Sequence, residues 1–207
     1  MSTVSNKIIQ AASGNNGGDI TGELIEAKNS GTLVTAPQAG DLLIGSMGLY
    51  TTAVVTYSPY IQVIRAVSSP WYGSYTESSN IVYKIATGSE GTTLNMGNGN
   101  KVIGVYRFSS PVTSVSVAFS TTQQGSSTRT ITTSSYDKPH IVVCSVGSYG
   151  DPSLTMTNSD YSLRGGYCDA AASLRNSDSS LTNAVISMTN VSFNEACCYA
   201  VLVPNFD

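Results

Sequence analysis

Apolar and polar residues alternate along much of this chain, which is the period-two pattern of half-buried β-strands. In segment 81–86, apolar side chains share one face and Lys84 projects from the other, which predicts a solvated Lys84. Segment 115–119 predicts a strand with Val115, Val117 and Phe119 on one face, and segment 199–203 predicts a strand buried on both faces. At least eight strands are expected in total, the others at residues 42–47, 61–67, 102–108, 141–146 and 184–191.

Stretches rich in Gly, Asn, Ser and Pro separate these segments. Gly97-Asn98-Gly99-Asn100 tolerates positive φ angles, and it predicts a hairpin over residues 92–108. Pro70 and Pro152 mark further loops, because proline cannot donate to a strand ladder. Only segments 20–28 and 168–174 resemble helices, and neither is long enough to be stable by itself.

Short strands and almost no helix predict an all-β fold, an antiparallel β-sandwich of jelly-roll type in a single domain. The length of 207 residues suits one domain with its own core. No segment repeats at a period of 20 to 50 residues, which disfavours a propeller or a solenoid. We assign residues 19–207 to the sandwich. Residues 1–18 are expected to form a flexible N-terminal arm, which orders against a neighbour or remains a frayed terminus.

The charge of the chain excludes several partners. Charged residues make up 11 % of the sequence, and the formal net charge is -3, so there is no basic footprint for nucleic acid. No apolar run approaches the roughly 20 residues of a membrane-spanning helix. The first residues lack the pattern of a secretory signal, which predicts synthesis in a cytoplasm.

The four cysteines have no CxxC spacing, so we expect free, buried thiols rather than disulfides or a metal site.

Few residues offer catalytic chemistry. His140 is the sole histidine, and it enters an apolar strand, which favours a structural role over that of a base for a serine or cysteine nucleophile. The carboxylates Asp41, Glu90 and Asp151 lie in predicted turns, where capping is more typical than the paired acid chemistry of a glycosidase. We therefore predict a protein that is not an enzyme and that has no cofactor and no bound metal.

One aromatic cluster is the best candidate for binding. Trp71, Tyr72 and Tyr75 follow Pro70 in a predicted loop, where flat ring faces stack on sugars or anchor a partner protein. The alternative is that they pack against the core or the rim of the sandwich, as a lone tryptophan often does. These three aromatic residues are the candidate recognition or interface residues.

Three motifs together carry a family resemblance. They are Gly40-Asp41-Leu42-Leu43, the segment 83–90 with the sequence YKIATGSE, and Tyr106-Arg107. In this order and spacing, the stretch 39–108 resembles a family of β-sandwich domains found in tailed-bacteriophage virion proteins. Members of that family usually carry a tryptophan soon after the first strand in a "GW" context, whereas Trp71 here comes late and follows Pro70. The resemblance implies a structural or recognition module and identifies no catalytic residue.

The sequence therefore predicts a non-enzymatic structural protein of a tailed-phage virion, which is a head decoration, a tail component or a fibre component made in the host bacterial cytoplasm. Its expected partners are further copies of itself and other virion proteins. The alternative is a carbohydrate-binding or receptor-binding, lectin-like module that holds a host-surface glycan with the 71–75 segment. A third hypothesis, a glycosidase or esterase, requires His140 or two carboxylates in one cleft.

Overall fold

The computed structural model describes residues 9–10, 20–50, 58–68, 76–97, 100–124, 128–132, 138–147, 153–175, 183–189 and 196–207. These residues form β-strands and no helix, which confirms the predicted all-β fold. The strands are β1 (Ile9–Gln10), β2 (Thr21–Lys28), β3 (Leu42–Tyr50), β4 (Ile61–Val67), β5 (Glu77–Ile85), β6 (Asn100–Phe108), β7 (Val112–Gln124), β8 (Thr128–Thr132), β9 (His140–Gly147), β10 (Ser153–Met156), β11 (Tyr161–Arg164), β12 (Cys168–Arg175), β13 (Asn183–Thr189) and β14 (Ala196–Phe206).

The strands form three antiparallel sheets. The front sheet has the order β1-β2-β6-β3-β5-β4, the middle sheet β11-β12-β9-β14-β7, and the back sheet β10-β13-β8. The front and middle sheets pack face to face around the largest apolar cluster, in which Leu42, Ile44 and Tyr106 meet Ile141 and Val143. The predicted antiparallel β-sandwich in a single domain is thereby confirmed.

The middle sheet is buried on both faces. Leu154, Met156 and Ile186 of the back sheet pack against its second face, where Val142 and Tyr199 lie. Every residue of β9 and β12 is buried as a result. This third layer is the reason that segment 199–203 reads as apolar on both faces.

The outer face of the front sheet is covered by chain segments rather than by a sheet. Leu33, Leu94 and Met96 pack there against Leu43 and Val105. The two covering segments are tied together by backbone hydrogen bonds, from Leu33 to residue 92 and from Leu94 to residue 31.

The predicted hairpin over residues 92–108 is wrong. Thr93 forms an isolated bridge with Thr32, whereas β6 pairs with β2 and β3. Residues before the Gly-Asn stretch reach across the front sheet because Leu94 and Met96 are buried there. This tertiary packing overrides the local turn signal.

The segments 20–28 and 168–174, judged too short for stable helices, are the strands β2 and β12, and the small alanines of β12 fit between two layers. Two smaller expectations fail. Lys84 is not freely solvated, because its side chain is only 19 % exposed and its ammonium lies 2.8 Å from Glu90. Phe119 does not share a face with Val117, since a bulge in β7 separates them.

Part of the predicted N-terminal arm is a strand. Ile9 and Gln10 pair antiparallel with Gly22 and Thr21 of β2. The other residues of the predicted arm 1–18 lie outside the described residues.

Candidate functional site

The predicted recognition residues Trp71, Tyr72 and Tyr75 lie outside the described residues. Hydrogen bonds join the described residues on either side of them. The Ser68 amide donates to the Glu77 carbonyl at 2.9 Å, and the Glu77 amide donates to the Ser68 hydroxyl at 2.9 Å. These bonds hold together the two ends of the connection between β4 and β5.

The three motifs of the family resemblance meet at one corner of the front sheet. Leu42 on β3 lies opposite Ile85 on β5 and opposite Tyr106 on β6. The Gly40 amide donates to the Ala86 carbonyl at 2.9 Å, and the Ala86 amide donates to the Asp41 carbonyl at 2.8 Å. Residues that are far apart in sequence are therefore hydrogen-bonded to one another at the same end of β3, β5 and β6.

Asp41 has a structural role at this corner. Arg107 donates to both of its carboxylate oxygens, with Nε 2.8 Å from Oδ1 and a terminal nitrogen 2.7 Å from Oδ2. The Gln38 amide donates to Oδ2 as well, at 2.7 Å. The side chain of Asp41 is 3 % exposed, and its hydrogen bonds raise the pKa of Arg107 above its ordinary value. Both oxygens of this buried carboxylate therefore accept hydrogen bonds, and Asp41 acts as a cap.

Glu90 has a similar role in the turn after β5. Its carboxylate accepts hydrogen bonds from the amides of Thr87 and Gly88, each at 2.9 Å, and from Lys84. Burial alone raises the pKa of Glu90, but the hydrogen bonds from Lys84 and Thr87 outweigh it and lower the pKa to about 2. Asp41 and Glu90 therefore both stabilise turns, and Asp151 lies outside the described residues.

His140 is buried at the first position of β9, directly opposite Arg175 on β12. Burial and, to a smaller extent, the nearby guanidinium of Arg175 lower the pKa of His140 to about 4, although a backbone hydrogen bond with Lys138 acts to raise it. The imidazole is therefore neutral at neutral pH. This position fits the structural interpretation of His140.

All four cysteines are buried free thiols, as the sequence predicts. Burial raises the pKa of Cys168 and of Cys198 to about 12, so both remain protonated. Within the described ranges, no three His, Cys, Asp or Glu side chains are grouped closely enough to hold a metal ion. The same ranges contain no helix with the length and apolar character needed to cross a membrane.

A shallow cleft of about 290 Å³ lies beside β2 and β6, lined by Thr21, Gly22, Glu23, Arg107, Phe108 and Ser109. Its one cation, Arg107, is already bound to Asp41. Its aromatic side chain, Phe108, packs on Phe206 with ring centroids 5.2 Å apart. The cleft therefore has few groups available for a ligand.

The most distinctive surface is one side of the sandwich, which we call the edge wall and define as β4 and β7. β4 ends the front sheet, β7 ends the middle sheet, and the two strands contact each other. Among the described residues, seven large apolar side chains are exposed, and four of them lie on the edge wall. These four are Ile61 at 55 %, Val67 at 46 %, Val117 at 45 % and Phe119 at 36 % exposure.

β7 is the longest strand and has no charged residue and no proline. Between residues 113 and 122, every side chain except Val115 and Thr121 is exposed. A bulge places Val117 opposite Leu202 and Phe119 opposite Val201, so these two side chains point to opposite faces of the sheet. The strand therefore presents apolar groups on both sides of an open edge.

The other sheet edges carry features that hinder strand pairing. β1 pairs only with Thr21 and Gly22 of β2, and the rest of β2 contains Glu23, Glu26 and Lys28. β10 and β11 have four residues each, and β11 ends with Arg164. β8 has five residues, with Arg129 in its sequence, and β4 contains Arg65. Sequence reasoning missed the contrast with β7 because a pattern of alternation does not reveal which strand lies at an edge.

In comparisons with family models, with curated proteins and with solved structures, nothing matches this chain. Its function must therefore be argued from its own residues and their geometry.

Proposed function

We propose that this protein is a non-enzymatic structural component of a tailed-phage virion that acts through assembly contacts. The observation that carries the proposal is the open edge of β7, a strand of 13 residues without a charge. An exposed edge of this kind presents unpaired backbone donors and acceptors, which readily pair with another chain. In a virion, symmetric neighbours supply that pairing at every copy.

The apolar side chains of the edge wall support the same proposal. Ile61 and Val67 extend the exposed apolar surface from β7 onto β4. Burial of apolar surface contributes about 25 cal/mol per Å² of area removed from water. Contacts across both strands would therefore add an apolar contribution to the hydrogen bonds of the open edge.

The residues that sequence reasoning weighed for catalysis also favour a structural protein. Asp41 and Glu90 are occupied as turn caps, and His140 is buried between neighbouring strands. Each of these groups stabilises the sandwich, and none of them is presented to a substrate. The resemblance over residues 39–108 to virion β-sandwich domains supplies the proposed setting.

The experiment is to follow the chain during purification of tailed-phage particles from a host that carries its coding sequence. We expect antibodies against the chain to detect it in the particle band of a density gradient and to place gold label at regular positions on the particles. Particles from a phage with the coding sequence deleted are the control. Complete recovery of the chain with soluble proteins, while normal particles form without it, would overturn the proposal.

A second candidate function is glycan binding by segment 69–75. It is favoured by the Ser68 and Glu77 hydrogen bonds, which bring together the ends of a segment rich in aromatic residues. Aromatic faces stack on sugar rings. On a glycan array, this candidate predicts binding that is lost in Trp71→Ala and kept in Tyr167→Ala, which removes an exposed aromatic side chain elsewhere. An array on which the unmodified protein binds no glycan would overturn it.

A further inference from the structure

We infer that β7 pairs antiparallel with β7 of a second copy of this chain, across a two-fold axis. The two five-stranded middle sheets would then join into one continuous sheet of ten strands. The inference rests on the proposed function, because it names the partner that covers the edge wall. It is nevertheless testable on the purified protein alone.

The length of the open edge is the first step. β7 bonds to β14 along one side, from residue 112 to residue 124, and no described strand pairs with its other side. Thirteen residues of strand extend over about 40 Å. Between the register shifts at residues 113 and 118 and beyond them, alternate residues direct their backbone N–H and C=O groups away from β14, which provides donors and acceptors for a second strand.

The choice of a second copy follows from the other edges. A strand that pairs with β7 over this length must itself be long and must lack the charged residues that hinder strand pairing. In the described part of the chain, β8, β10 and β11 are short, β2 contains Glu23, Glu26 and Lys28, and β4 contains Arg65. The matching edge on another copy is therefore β7 itself. Such a contact uses the same surface on both copies, so it closes as a dimer instead of growing into a fibre.

The sequence of β7 is compatible with pairing against itself. In an antiparallel pair around a two-fold axis, each residue of one strand faces a residue of the identical strand. Charged residues in such a pair would oppose like charges, which destabilises cross-strand neighbours. β7 has none, and its serines and threonines tolerate one another as cross-strand partners.

The open edge is also held in a defined conformation. The side-chain amide of Asn205 on β14 donates to the hydroxyls of Ser114 and Ser116, at 3.2 Å and 3.1 Å. Because these bonds span the two strands, they fix β7 to β14 at one end. A fixed strand loses less conformational entropy when it binds a partner.

The test uses charges placed on β7. One variant carries Ala118→Lys, Ser120→Lys and Thr122→Lys, and a second carries glutamate at the same three exposed positions, none of which bonds to Asn205. We expect each variant alone to raise the dissociation constant of the dimer by at least about 100-fold, because like charges would face one another. Mixing the two should restore a dimer that contains one copy of each, as native mass spectrometry would resolve.

The controls add a single charge of either sign outside the edge wall. Val34 is 78 % exposed and lies on neither β4 nor β7, so Val34→Lys and Val34→Glu should both dimerise like the unmodified protein. Circular dichroism checks that every variant keeps its β-sheet signal. A dimer that persists in both triple variants would overturn the inference, since it would have formed through another surface.

A second measurement needs no variant. Hydrogen exchange of the unmodified protein should show amide protection over residues 112–124 that increases with protein concentration, while residues 161–164 on the opposite edge keep constant protection. A monomer with concentration-independent exchange would overturn the self-pairing of β7. That result would leave the proposed virion role to the particle experiment, where association of the chain with particles is measured separately.

Discussion

Arg107 on β6 forms a double hydrogen bond with Asp41, with Nε 2.8 Å from Oδ1 and a terminal nitrogen 2.7 Å from Oδ2. Asp41 immediately precedes β3, and β3 pairs with β6. The ion pair therefore links the start of β3 to β6 through side chains. It also joins two of the three motifs on which the sequence resemblance rests.

Loss of Arg107 should destabilise the fold. In Arg107→Ala, the carboxylate of Asp41 stays buried at 3 % exposure and loses two of its hydrogen bonds. We expect the free energy of unfolding to fall by about 2 kcal/mol in urea denaturation. Lys138→Ala, which removes an exposed cation, is the control and should change it by less than about 0.5 kcal/mol. Equal effects of the two substitutions would contradict the structural role of the pair.

Glu90 should make the protein sensitive to acid. Its pKa of about 2 in the folded chain lies below the ordinary value of 4.5, so its stabilising contribution is complete above pH 4.5 and is lost as the pH falls towards 2. Because residues 87–89 of this turn are exposed to solvent, we expect a loss of about 1 kcal/mol. Glu90→Gln should lack this loss when unfolding is measured from pH 5 to pH 2. An unchanged pH profile in the variant would show that Glu90 contributes nothing there.

His140 should change the free energy of unfolding over a higher pH range than Glu90 does. Its pKa of about 4 in the folded chain is below the ordinary value of 6.5, so the unfolded chain binds the proton more readily between these values. Stability should therefore fall by about 2 kcal/mol as the pH decreases from 6.5 to 4, with no further contribution below pH 4. His140→Gln should flatten this part of the curve while the Glu90 transition remains. A His140→Gln curve that still falls between pH 6.5 and pH 4 would contradict the assignment.

The thiols should be inert in the native protein. All four cysteines are buried, and burial raises the pKa of Cys168 and Cys198 to about 12. A thiol reagent should therefore label none of the four before unfolding and all four after it. A Val34→Cys variant, altered at a position that is 78 % exposed and off the edge wall, should add one rapidly labelled thiol, which checks that the reagent is active. Rapid native labelling of any original cysteine would contradict its placement in the core.

Much of the sandwich could be predicted from the chain because strand periodicity is a local property. The alternation in segment 81–86 and the uniform apolarity of segment 199–203 reflect the faces that these residues bury. The Asp41–Arg107 pair could not be predicted in the same way, since it depends on strands that are distant in sequence. The hairpin predicted over residues 92–108 is wrong for the same reason. Burial of Leu94 and Met96 against the front sheet stabilises the chain more than a local turn would.

Less of the edge wall than of the sandwich could be predicted from the sequence. The apolar and uncharged character of β7 is visible in its residues, but its position at a sheet edge follows only from the pairing of β14 between β9 and β7. Similarly, the bulge that turns Phe119 away from the face of Val117 leaves no signal in the alternation. The predicted contact residues Trp71, Tyr72 and Tyr75 lie outside the described residues and remain a prediction.

Pairing through the open edge of β7 should be visible in the mass of the protein in solution. We expect light scattering of the unmodified protein, from about 1 µM to about 1 mM, to show a mass that rises to twice the 21.6 kDa of the chain. The variant with three lysines on β7 should keep the mass of a monomer. A mass of 21.6 kDa for the unmodified protein at every concentration would show that β7 does not pair with itself.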